Sequence, residues 1–570
     1  MMTVLTRRCY QLLLVAAALL ALAPRALTVA QTNESRIRLD TVGYLPRHEK
    51  RASVAARFGE FKVVREPGGT VAFGGKAAGP LRNEDTGEEL YFADFSALKE
   101  PGTYFLDIPG VGRSAPFRVG RDVYDAPFRA AFAAMYLWRC GAAVRAARDG
   151  VTYSHAACHL EDARLDFVGG PGAVRDAAGG WHDAGDYNKY VVNAGVTVGI
   201  MLRAWEEFGA RIARVRFDDL PHGGARLPVY LQEVKWETDW LLKMQAADGS
   251  VYHKVSTKDF GPAIPPEDEK TERYFAPWGS AATADFAAML AAAARSFHPY
   301  DDEYSRRCLQ ASRRAYDFLR ARPANQRADL KGFTTGAYQT DDADDRLWAA
   351  AELWETTGER VYLADFERRA RATPEKFDTD WGWSNVKNLG MLTYLSSGRG
   401  GRDARLAGEV RRALVEVADR IVRAADEHGY ARPLGTKYYW GANGGVANTT
   451  LLLQAARRVS PKPAYAETAL DAIHHLFGRN YYGRSFVTGL GANPPRRPHD
   501  RRSMGRPDAP AWPGYLVGGG WPKATDWVDE EENYRVNEIA INWNAPLVYA
   551  LAGFLSQVPA EPRRAAKSPQ

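Results

Sequence analysis

The hydrophobic pattern changes at Val119 and Gly120, and this change limits the possible folds more than any other feature of the chain. In residues 34–120 apolar and polar residues alternate, with clusters of proline and glycine between the runs, which is typical of short β-strands. In residues 124–558 apolar residues recur at helical spacing, and segments such as 281–297 are apolar almost all round, as buried helices are. We therefore expect a small all-β sandwich followed by a large all-α domain. There are too many helices for the core of one bundle, so a toroid of paired helices fits better.

Both ends of the chain are expected to lie outside these two domains. Residues 1–30 begin with Arg7 and Arg8, and the apolar run 12–23 is of signal-peptide length and too short to span a bilayer. We expect a secretion signal and therefore a secreted or periplasmic protein. Residues 559–570 are charged and contain proline, which predicts a disordered tail.

The charge of the chain argues against two classes of partner. The formal net charge is +6 over 570 residues, and the basic residues form no long run. Proteins that bind nucleic acid or membrane surfaces usually carry a concentrated basic patch. We expect neither partner, and we expect a monomer.

Residues 179–190, which read Gly-Gly-Trp-His-Asp-Ala-Gly-Asp-Tyr-Asn-Lys-Tyr, contain the first candidate site. Only Ala184 and Gly185 separate Asp183 from Asp186, so a substrate or a water molecule could approach both carboxylates. Hydrolysis of a bond between two sugars needs a carboxylate to activate water and flat apolar rings to hold the sugars. The alternative is a surface turn, since Asp and Gly both favour turns.

Two further groups of residues near the C-terminus could complete such a site. Glu538 precedes an apolar segment, which predicts a position at the start of the last core helix and a raised pKa suited to a general acid. The alternative is an ordinary acid at a helix start. His499 and Arg501 lie on a proline-rich loop, where they could bind sugar hydroxyls or a carboxylate. The alternative for them is a solvated basic loop.

These groups together resemble glycoside hydrolase family 9, whose members are mainly inverting β-1,4-glucanases built on an (α/α)6 barrel. The resemblance covers residues 36–556 and includes the His-x-Arg loop and the segment 529–546. Residues 37–46 also resemble the first strand of the immunoglobulin-like domain that precedes the barrel in some members. The resemblance therefore implies an all-α (α/α)6 barrel catalytic domain preceded by a small all-β immunoglobulin-like sandwich.

The resemblance also implies a role for each matching residue. Asp186 is expected to be the general base, Asp183 to position the attacking water, and Glu538 to be the general acid. His499 and Arg501 are expected to bind the sugar near the bond that breaks. An inverting mechanism requires the two catalytic carboxyls to lie about 6.5–9.5 Å apart, which leaves room for the water.

Aromatic residues are the candidates for the sugar-binding subsites. Tyr534 matches the family's aromatic position before the acid, and Trp543 falls where a family aromatic lines the cleft. Trp278, Trp383 and Trp440 lie in or beside long loops. The alternative for each of these rings is an ordinary place in the core.

Two cysteines and two histidines form a candidate metal site. Cys140 is followed 18 residues later by Cys158 and His159, and His182 directly precedes the aspartate pair. Such a set favours structural Zn²⁺, and some family members with the immunoglobulin-like domain carry zinc at a similar set. The alternatives are a disulfide between Cys140 and Cys158 or buried free thiols. Zinc here would hold the loop that leads into the aspartates.

An acidic cluster before a predicted helix is a candidate calcium site. Asp341, Asp344 and Asp345 supply hard oxygen ligands, which Ca²⁺ prefers. Family members often bind calcium at a matching loop through an Asp-Glu pair, whereas this chain has Asp344 and Asp345. The alternative is a helix start with excess acid.

The sequence thus predicts an exported, inverting glycoside hydrolase that cleaves β-1,4-glucosidic bonds in cellulose or related β-glucans and acts within the chain. An exo-acting cellodextrinase, β-glucosidase or glucosaminidase of the same family would have the same catalytic residues. A non-catalytic carbohydrate-binding protein is the alternative from another class.

Overall fold

The computed structural model describes residues 35–218, 220–221 and 226–556. The predicted signal segment 1–30 and the predicted tail 559–570 lie outside the described residues. No described helix combines the length and the apolar character needed to cross a membrane. The described residues from Arg36 onward form one compact unit.

Ten short strands build the N-terminal sandwich. They are β1 (Ile37–Arg38), β2 (Gly43–Tyr44), β3 (Arg51–Val54), β4 (Glu60–Glu66), β5 (Val71–Lys76), β6 (Ala78–Asn83), β7 (Glu88–Asp94), β8 (Gly102–Ile108), β9 (Gly112–Arg113) and β10 (Phe117–Val119). One sheet has the order β1-β3-β7-β6, and the other has the order β2-β10-β8-β4-β5 with β9 on β8. All pairs are antiparallel except β2 with β10.

Aromatic side chains fill the space between the two sheets. The ring of Tyr44 meets Phe95 and Phe117 edge-on, with ring centroids 5.3 Å and 5.5 Å apart. Alternate residues of β8 point inward, so Tyr104, Leu106 and Ile108 are buried. The alternation in the sequence therefore corresponds to the two faces of real strands.

Helices dominate the rest of the described chain. They are α1 (Asp125–Leu137), α2 (Val191–Ile212), α3 (Val229–Lys243), α4 (Ser280–Phe297), α5 (Asp302–Arg320), α6 (Ala343–Thr357), α7 (Arg360–Ala372), α8 (Lys387–Ser396), α9 (Ala404–Asp426), α10 (Ala442–Val459), α11 (Pro463–Leu476), α12 (Arg501–Met504), α13 (Tyr534–Asn537) and α14 (Ile541–Ala552). The remaining described strands are β11 (Val144–Arg148), β12 (Val151–His155), β13 (Arg164–Leu165), β14 (Gly170–Val174), β15 (Lys189–Tyr190), β16 (Lys254–Ser256) and β17 (Tyr274–Phe275).

The longer helices form an inner and an outer ring. Packing contacts run from α14 to α2, α4, α6 and α8 in turn, α9 lies against both α8 and α10, and α10 packs back against α14. Every residue of the inner helix α4 except Arg295 is buried, whereas the outer helix α9 buries one face only. This arrangement is an (α/α)6 barrel, and it explains why several helical segments are apolar all round.

The sandwich packs against barrel loops through buried polar contacts. The side-chain oxygen of Asn83 accepts a hydrogen bond from the backbone N–H of Gly429 at 2.9 Å, and Asp85 bonds both His428 and the hydroxyl of Tyr438. A side chain at position 429 would collide with Leu90, since a Cβ there would lie 2.4 Å from a Leu90 methyl carbon. The two domains are therefore joined closely at this loop.

Candidate active site

The two aspartates lie on a closed turn that leads into the inner helix α2. The backbone N–H of Asp183 donates to the carbonyl of Asn188 at 3.0 Å, which closes the turn. The indole N–H of Trp138 donates to the carbonyl of Ala184 at 3.1 Å. Strand β15 follows the turn and pairs with β16, so the loop 251–279 supports it from the other side. The turn is thus held by α1, by α2 and by a small sheet.

Gly185 allows a second segment of the chain to approach this turn. A Cβ at position 185 would lie 2.4 Å from the carbonyl oxygen of His499 and 2.9 Å from its ring, distances that real Cβ atoms essentially never show. The carbonyl of Gly185 accepts the backbone N–H of Arg501 at 3.0 Å. The predicted His-x-Arg loop is therefore in direct contact with the predicted aspartate pair.

Asp183 is buried, and each of its carboxyl oxygens accepts one hydrogen bond. One carboxyl oxygen accepts the side-chain N–H of Asn193 at 2.6 Å, and the other accepts the hydroxyl of Tyr338 at 2.8 Å. Burial, together with the negative charge of Asp186, raises the pKa of Asp183 to about 8, although both hydrogen bonds lower it.

Asp186 has a different environment from its neighbour. Burial raises the pKa of Asp186, but the charge of Arg501 and hydrogen bonds from Asn188 and Tyr190 oppose this shift. Arg501 is thus the specific cation that favours the ionised form of Asp186. Of the two aspartates, Asp186 is the better placed to hold a negative charge.

Glu538 reaches the same site, although not from the position that the sequence predicted. It follows the short helix α13 in extended conformation and pairs with His499 as in a parallel bridge, whereas α14 begins three residues later. Burial, and then the charges of Asp186 and Asp183, raise its pKa well above the usual range, against a lowering effect of Arg501. The carboxyl therefore lies in an environment that favours its protonated form, and Glu538 is held by β-like pairing with His499 instead of by a helix start.

His499 and Arg501 connect the three carboxyls. The Nδ1 of His499 lies 2.6 Å from the carbonyl oxygen of Glu531, so this nitrogen carries the proton and Nε2 is left as an acceptor. Burial lowers the pKa of His499, which keeps the ring neutral. The Nε of Arg501 donates to the carbonyl of Gly261, while its buried Nη1 has no hydrogen-bond partner in the described structure. That nitrogen is available to a ligand.

Exposed aromatic rings continue outward from this centre. Tyr534 is 41% exposed and its ring lies 6.0 Å from His499, and Trp440 is 46% exposed and lies 5.3 Å from Tyr534. Phe260 is 51% exposed, and its ring lies 5.6 Å from the guanidinium of Arg501. Large exposed rings that border a group of carboxyls are typical of sugar-binding surfaces.

The other predicted subsite residues differ in their distance from the carboxyls. The ring of Trp383 lies 5.0 Å from Tyr338, which bonds Asp183, so Trp383 belongs to the site. Trp543 is partly buried and packs against Gly441 and Gly444 at the start of α10. Trp278 packs edge-on against a phenylalanine of α5 in a separate small cluster, and its predicted role has no contact to support it.

The four predicted metal ligands come together in one buried cluster. Their ligand atoms all lie within 4.8 Å of one another. The sulfur of Cys140 is 3.7 Å from Nδ1 of His159, and the sulfur of Cys158 is 3.6 Å from Nε2 of His182. Both cysteines are free, so the structure contains no disulfide between Cys140 and Cys158. Two thiols and two imidazoles at these distances could hold one metal ion.

The predicted calcium ligands do not come together. Asp341 pairs with Arg327 at 3.2 Å on the surface, and Asp344 accepts the backbone N–H of Val386 at 2.6 Å. Asp345 points into the core. Burial raises its pKa, and the charge of Asp285 raises it further. Among the described residues these three aspartates form no group of metal-ligand atoms. Consecutive helical residues point in different directions, which the local acidic pattern alone did not reveal.

Several residues of the site were not singled out from the sequence. Tyr338 and Asn193, the two partners of Asp183, are far apart in the chain and carry no motif. Glu269 accepts from Nε2 of His159 at 2.9 Å, so it orients a predicted metal ligand. Phe260 is an isolated aromatic in a loop. The only signal at Tyr338 is its backbone φ of 43°, which is unusual for a residue other than glycine and is visible only in three dimensions.

Comparisons with known proteins agree with this geometry. Residues 124–551 match the sequence model of glycosyl hydrolase family 9, and residues 32–113 match that of the cellulase N-terminal ig-like domain. Endoglucanase D of Acetivibrio thermocellus is 53% identical over 526 residues, which cover 92% of this chain and 84% of that protein. The cellodextrinase of Butyrivibrio fibrisolvens is 34% identical, over 91% of this chain and 100% of that protein.

A solved structure is similar over the same length. The crystal structure of a metagenome-derived glycoside hydrolase family 9 endoglucanase has a TM-score of 0.86 to this chain at 34% identity. The similarity covers 91% of this chain and 99% of that chain. It therefore includes both the sandwich and the helical barrel.

The raised pKa of Asp183 predicts a pH-dependent effect of the substitution Asp183→Asn. The pKa of Asp183 is about 8 in the folded protein and near 3.8 in the unfolded chain. The free energy of unfolding therefore falls as the pH rises between these two values. Asparagine keeps the hydrogen-bonding shape without a charge. We expect the melting temperature of the variant, relative to the unmodified protein, to rise by a few degrees between pH 5 and pH 8 in thermal unfolding.

Asp365→Asn is the matched control for that experiment. Burial alone would raise the pKa of Asp365, but hydrogen bonds from Tyr316, Arg369 and Arg368 lower it. Its ionised form therefore stabilises the fold at pH 5 and at pH 8 alike. The control should be destabilised by a similar amount at both pH values. A pH-independent difference for Asp183→Asn would contradict the prediction.

Proposed function

This chain belongs to glycosyl hydrolase family 9, and we propose that it is an endo-acting β-1,4-glucanase that hydrolyses cellulose or related β-glucans with inversion. The observation that carries the proposal is the meeting of Asp183, Asp186 and Glu538 around Arg501, with exposed aromatic rings beside them. The two endoglucanases named above support the same activity. A non-catalytic binding protein would have no need for three carboxyls with raised pKa values at one site.

The environments of the three carboxyls favour distinct roles. Asp186, whose negative charge Arg501 stabilises, would accept a proton from water as the water oxygen attacks the anomeric carbon. Glu538, which burial and two negative neighbours keep protonated, would donate its proton to the leaving glycosidic oxygen as the carbon–oxygen bond breaks. Asp183, held by two hydrogen bonds, would orient the water. Solvent then takes the proton from Asp186 and restores that of Glu538.

The residues around the carboxyls would bind the sugar. The free Nε2 of His499 can accept a hydroxyl proton, and the unpaired Nη1 of Arg501 can donate to a sugar oxygen. Trp440, Tyr534 and Phe260 are exposed and offer faces on which pyranose rings can stack. Endo action is supported by the similarity to the two endoglucanases.

We also infer export and a structural zinc ion. Export rests on the predicted signal in residues 1–30. The two thiols and two imidazoles of Cys140, Cys158, His159 and His182 fit a closed tetrahedral Zn²⁺ site. The ion would supply a rigid link between separate loops, and His182 would transmit that rigidity to the adjacent Asp183.

Endo action predicts a particular time course on a soluble cellulose derivative. Cleavage within chains shortens them at once, so viscosity should fall steeply while few reducing ends have formed. An exo-acting enzyme, which the similarity to a cellodextrinase keeps as the second candidate, would release reducing ends with little loss of viscosity. Viscometry and a reducing-sugar assay on the same samples decide between them, and a slow fall in viscosity would contradict endo action.

The roles of the acid and the base predict large losses of rate. Asp186→Asn and Glu538→Gln should each lower kcat on cellodextrins by about 10²–10⁴-fold, the usual contribution of such a group, with unchanged thermal unfolding at low pH. Glu532→Gln is the control, because Glu532 is exposed and only six residues from Glu538. A variant at position 186 or 538 that keeps most of its activity would refute the role of that residue.

The metal site predicts about one zinc ion per chain in the purified protein. Cys158→Ser should lose most of the zinc and melt at a lower temperature, because without the ion the loops that carry Cys140, Cys158, His159 and His182 are no longer linked. Cys308→Ser is the control, since Cys308 is also buried and free but lies in α5, outside the cluster. Metal analysis gives the first result and thermal unfolding the second. Protein without zinc, or with a Cys140–Cys158 disulfide in mass spectrometry, would refute the site.

A further inference from the structure

An open pocket of about 660 Å³ lies where the sandwich meets the end of the barrel. Its wall combines residues of the sandwich, of α2, of α10 and of the segment after α14. We call it the basic groove, because its lining includes Arg47, His48, Lys99, Arg121, Arg211 and Arg457. These residues belong to neither the carboxyl site nor the cysteine–histidine cluster.

Four acidic side chains near the basic groove each bind a base, and a fifth, Asp125, accepts the backbone N–H and the hydroxyl of Ser556 in the groove lining at 2.9 Å and 2.6 Å. Glu49 binds Arg51 at 2.9 Å, and Asp122 binds Arg118 at 3.0 Å. Glu100 similarly binds Arg65, and Glu467 binds His48, the one groove base with a carboxylate partner. Within the described part of the chain, no carboxylate forms an ion pair with the other five groove cations.

The positive charges of the basic groove also act on one another. Arg211 is partly buried and donates to the carbonyl of Gly553 at 2.9 Å. Burial lowers the pKa of Arg211, and the charge of Arg457 lowers it further. Two guanidinium groups that repel each other without a nearby carboxylate create a positive potential in a concave site, which attracts anions.

The floor of the basic groove is apolar. Phe554 and Leu555 are buried beneath it, and Leu45 and Pro101 contribute to its walls. The ring of His48 meets Phe554 edge-on at 6.2 Å. A ligand that fits this site has an apolar face and more than one anionic group.

We propose that the basic groove binds a carboxylate-bearing polysaccharide, that is, a chain of uronic acid units. Each unit presents the C–H face of a pyranose ring and one carboxylate, which match the apolar floor and the surrounding cations. Single-stranded nucleic acid fits less well, because its bases need an exposed aromatic ring on which to stack and the groove's Phe554 is buried. The C–H face of a pyranose ring needs only an apolar surface, which the more accessible Leu45 and Pro101 offer. The proposal does not depend on the proposed hydrolysis of β-glucans.

Affinity electrophoresis of the full-length protein tests the proposal. Polygalacturonate in a native gel should retard the protein, uncharged dextran should not, and added salt should weaken the retardation because the attraction is electrostatic. Lys99→Glu with Arg457→Glu should weaken binding at least tenfold. Both side chains are exposed and unpaired, and one lies on each side of the groove. Hydrolysis of cellodextrins should be unchanged, which separates failure of this site from failure of the active site.

Two further variants keep the result interpretable. Lys62→Glu with Arg360→Glu makes the same change in net charge at exposed positions of the sandwich and barrel outside the groove, and it should leave binding nearly intact. Replacement of Arg563, Arg564 and Lys567 by glutamine tests the C-terminal segment, and it should also leave binding intact.

Four outcomes would overturn the proposal. The first is equal retardation by polygalacturonate and dextran, and the second is an equal loss of binding in the groove variant and its charge control. The third is loss of binding in the glutamine variant. The fourth is displacement of polygalacturonate by single-stranded DNA at a concentration of negative charge lower than that of the polygalacturonate.

Discussion

The close approach of Gly185 to His499 is the contact on which the carboxyl site depends. Because a Cβ at position 185 would lie 2.4 Å from the His499 carbonyl oxygen, two segments 314 residues apart can meet only through a glycine. His499 in turn pairs with Glu538, and the backbone N–H of Ile541 donates to the carbonyl of Asp183 at 2.9 Å. The aspartate turn, the His-x-Arg loop and the acid therefore form one unit, which closure of the helical ring between α14 and α2 brings together.

That unit concentrates negative charge where the fold can least tolerate it. Asp183 and Asp186 are buried and Glu538 is partly buried. The charge of Asp186 raises the pKa of Asp183 and of Glu538, while Arg501 lowers the pKa of Asp186 and of Glu538. Burial favours the neutral form of every carboxyl, and Arg501 together with hydrogen bonds from Asn188 and Tyr190 opposes this effect at Asp186. The fold loses stability to keep these groups together, a cost that is common where residues are arranged for chemistry and not for packing.

The sequence predicted those features of the site that depend on residue type within a short stretch. The change from alternating to helical periodicity predicted both domains, and the set Cys140, Cys158, His159 and His182 does form a cluster. It did not predict the β-like pairing of Glu538, since pairing depends on the distant His499. Nor did it predict that Tyr338 donates to Asp183, because tertiary packing alone brings that loop to the turn. The aspartates 341, 344 and 345 illustrate the opposite error, because acids that are adjacent in the sequence lie in separate surroundings: Asp341 pairs with Arg327, Asp344 accepts from Val386, and Asp345 is buried in the core.

The sandwich, which carries none of the predicted catalytic residues, nevertheless holds the barrel loop that leads to Trp440. Asn83 and Asp85 hold the barrel loop at Gly429, His428 and Tyr438. The next residue, Tyr439, donates its hydroxyl to Asp380, and Trp440 follows directly with its ring against Tyr534. Loops that run from a fixed point over a few residues have little conformational freedom, so the buried contacts at the sandwich restrict where Trp440 can lie. A structural domain can thus affect substrate binding through the loop that it holds, without touching the substrate.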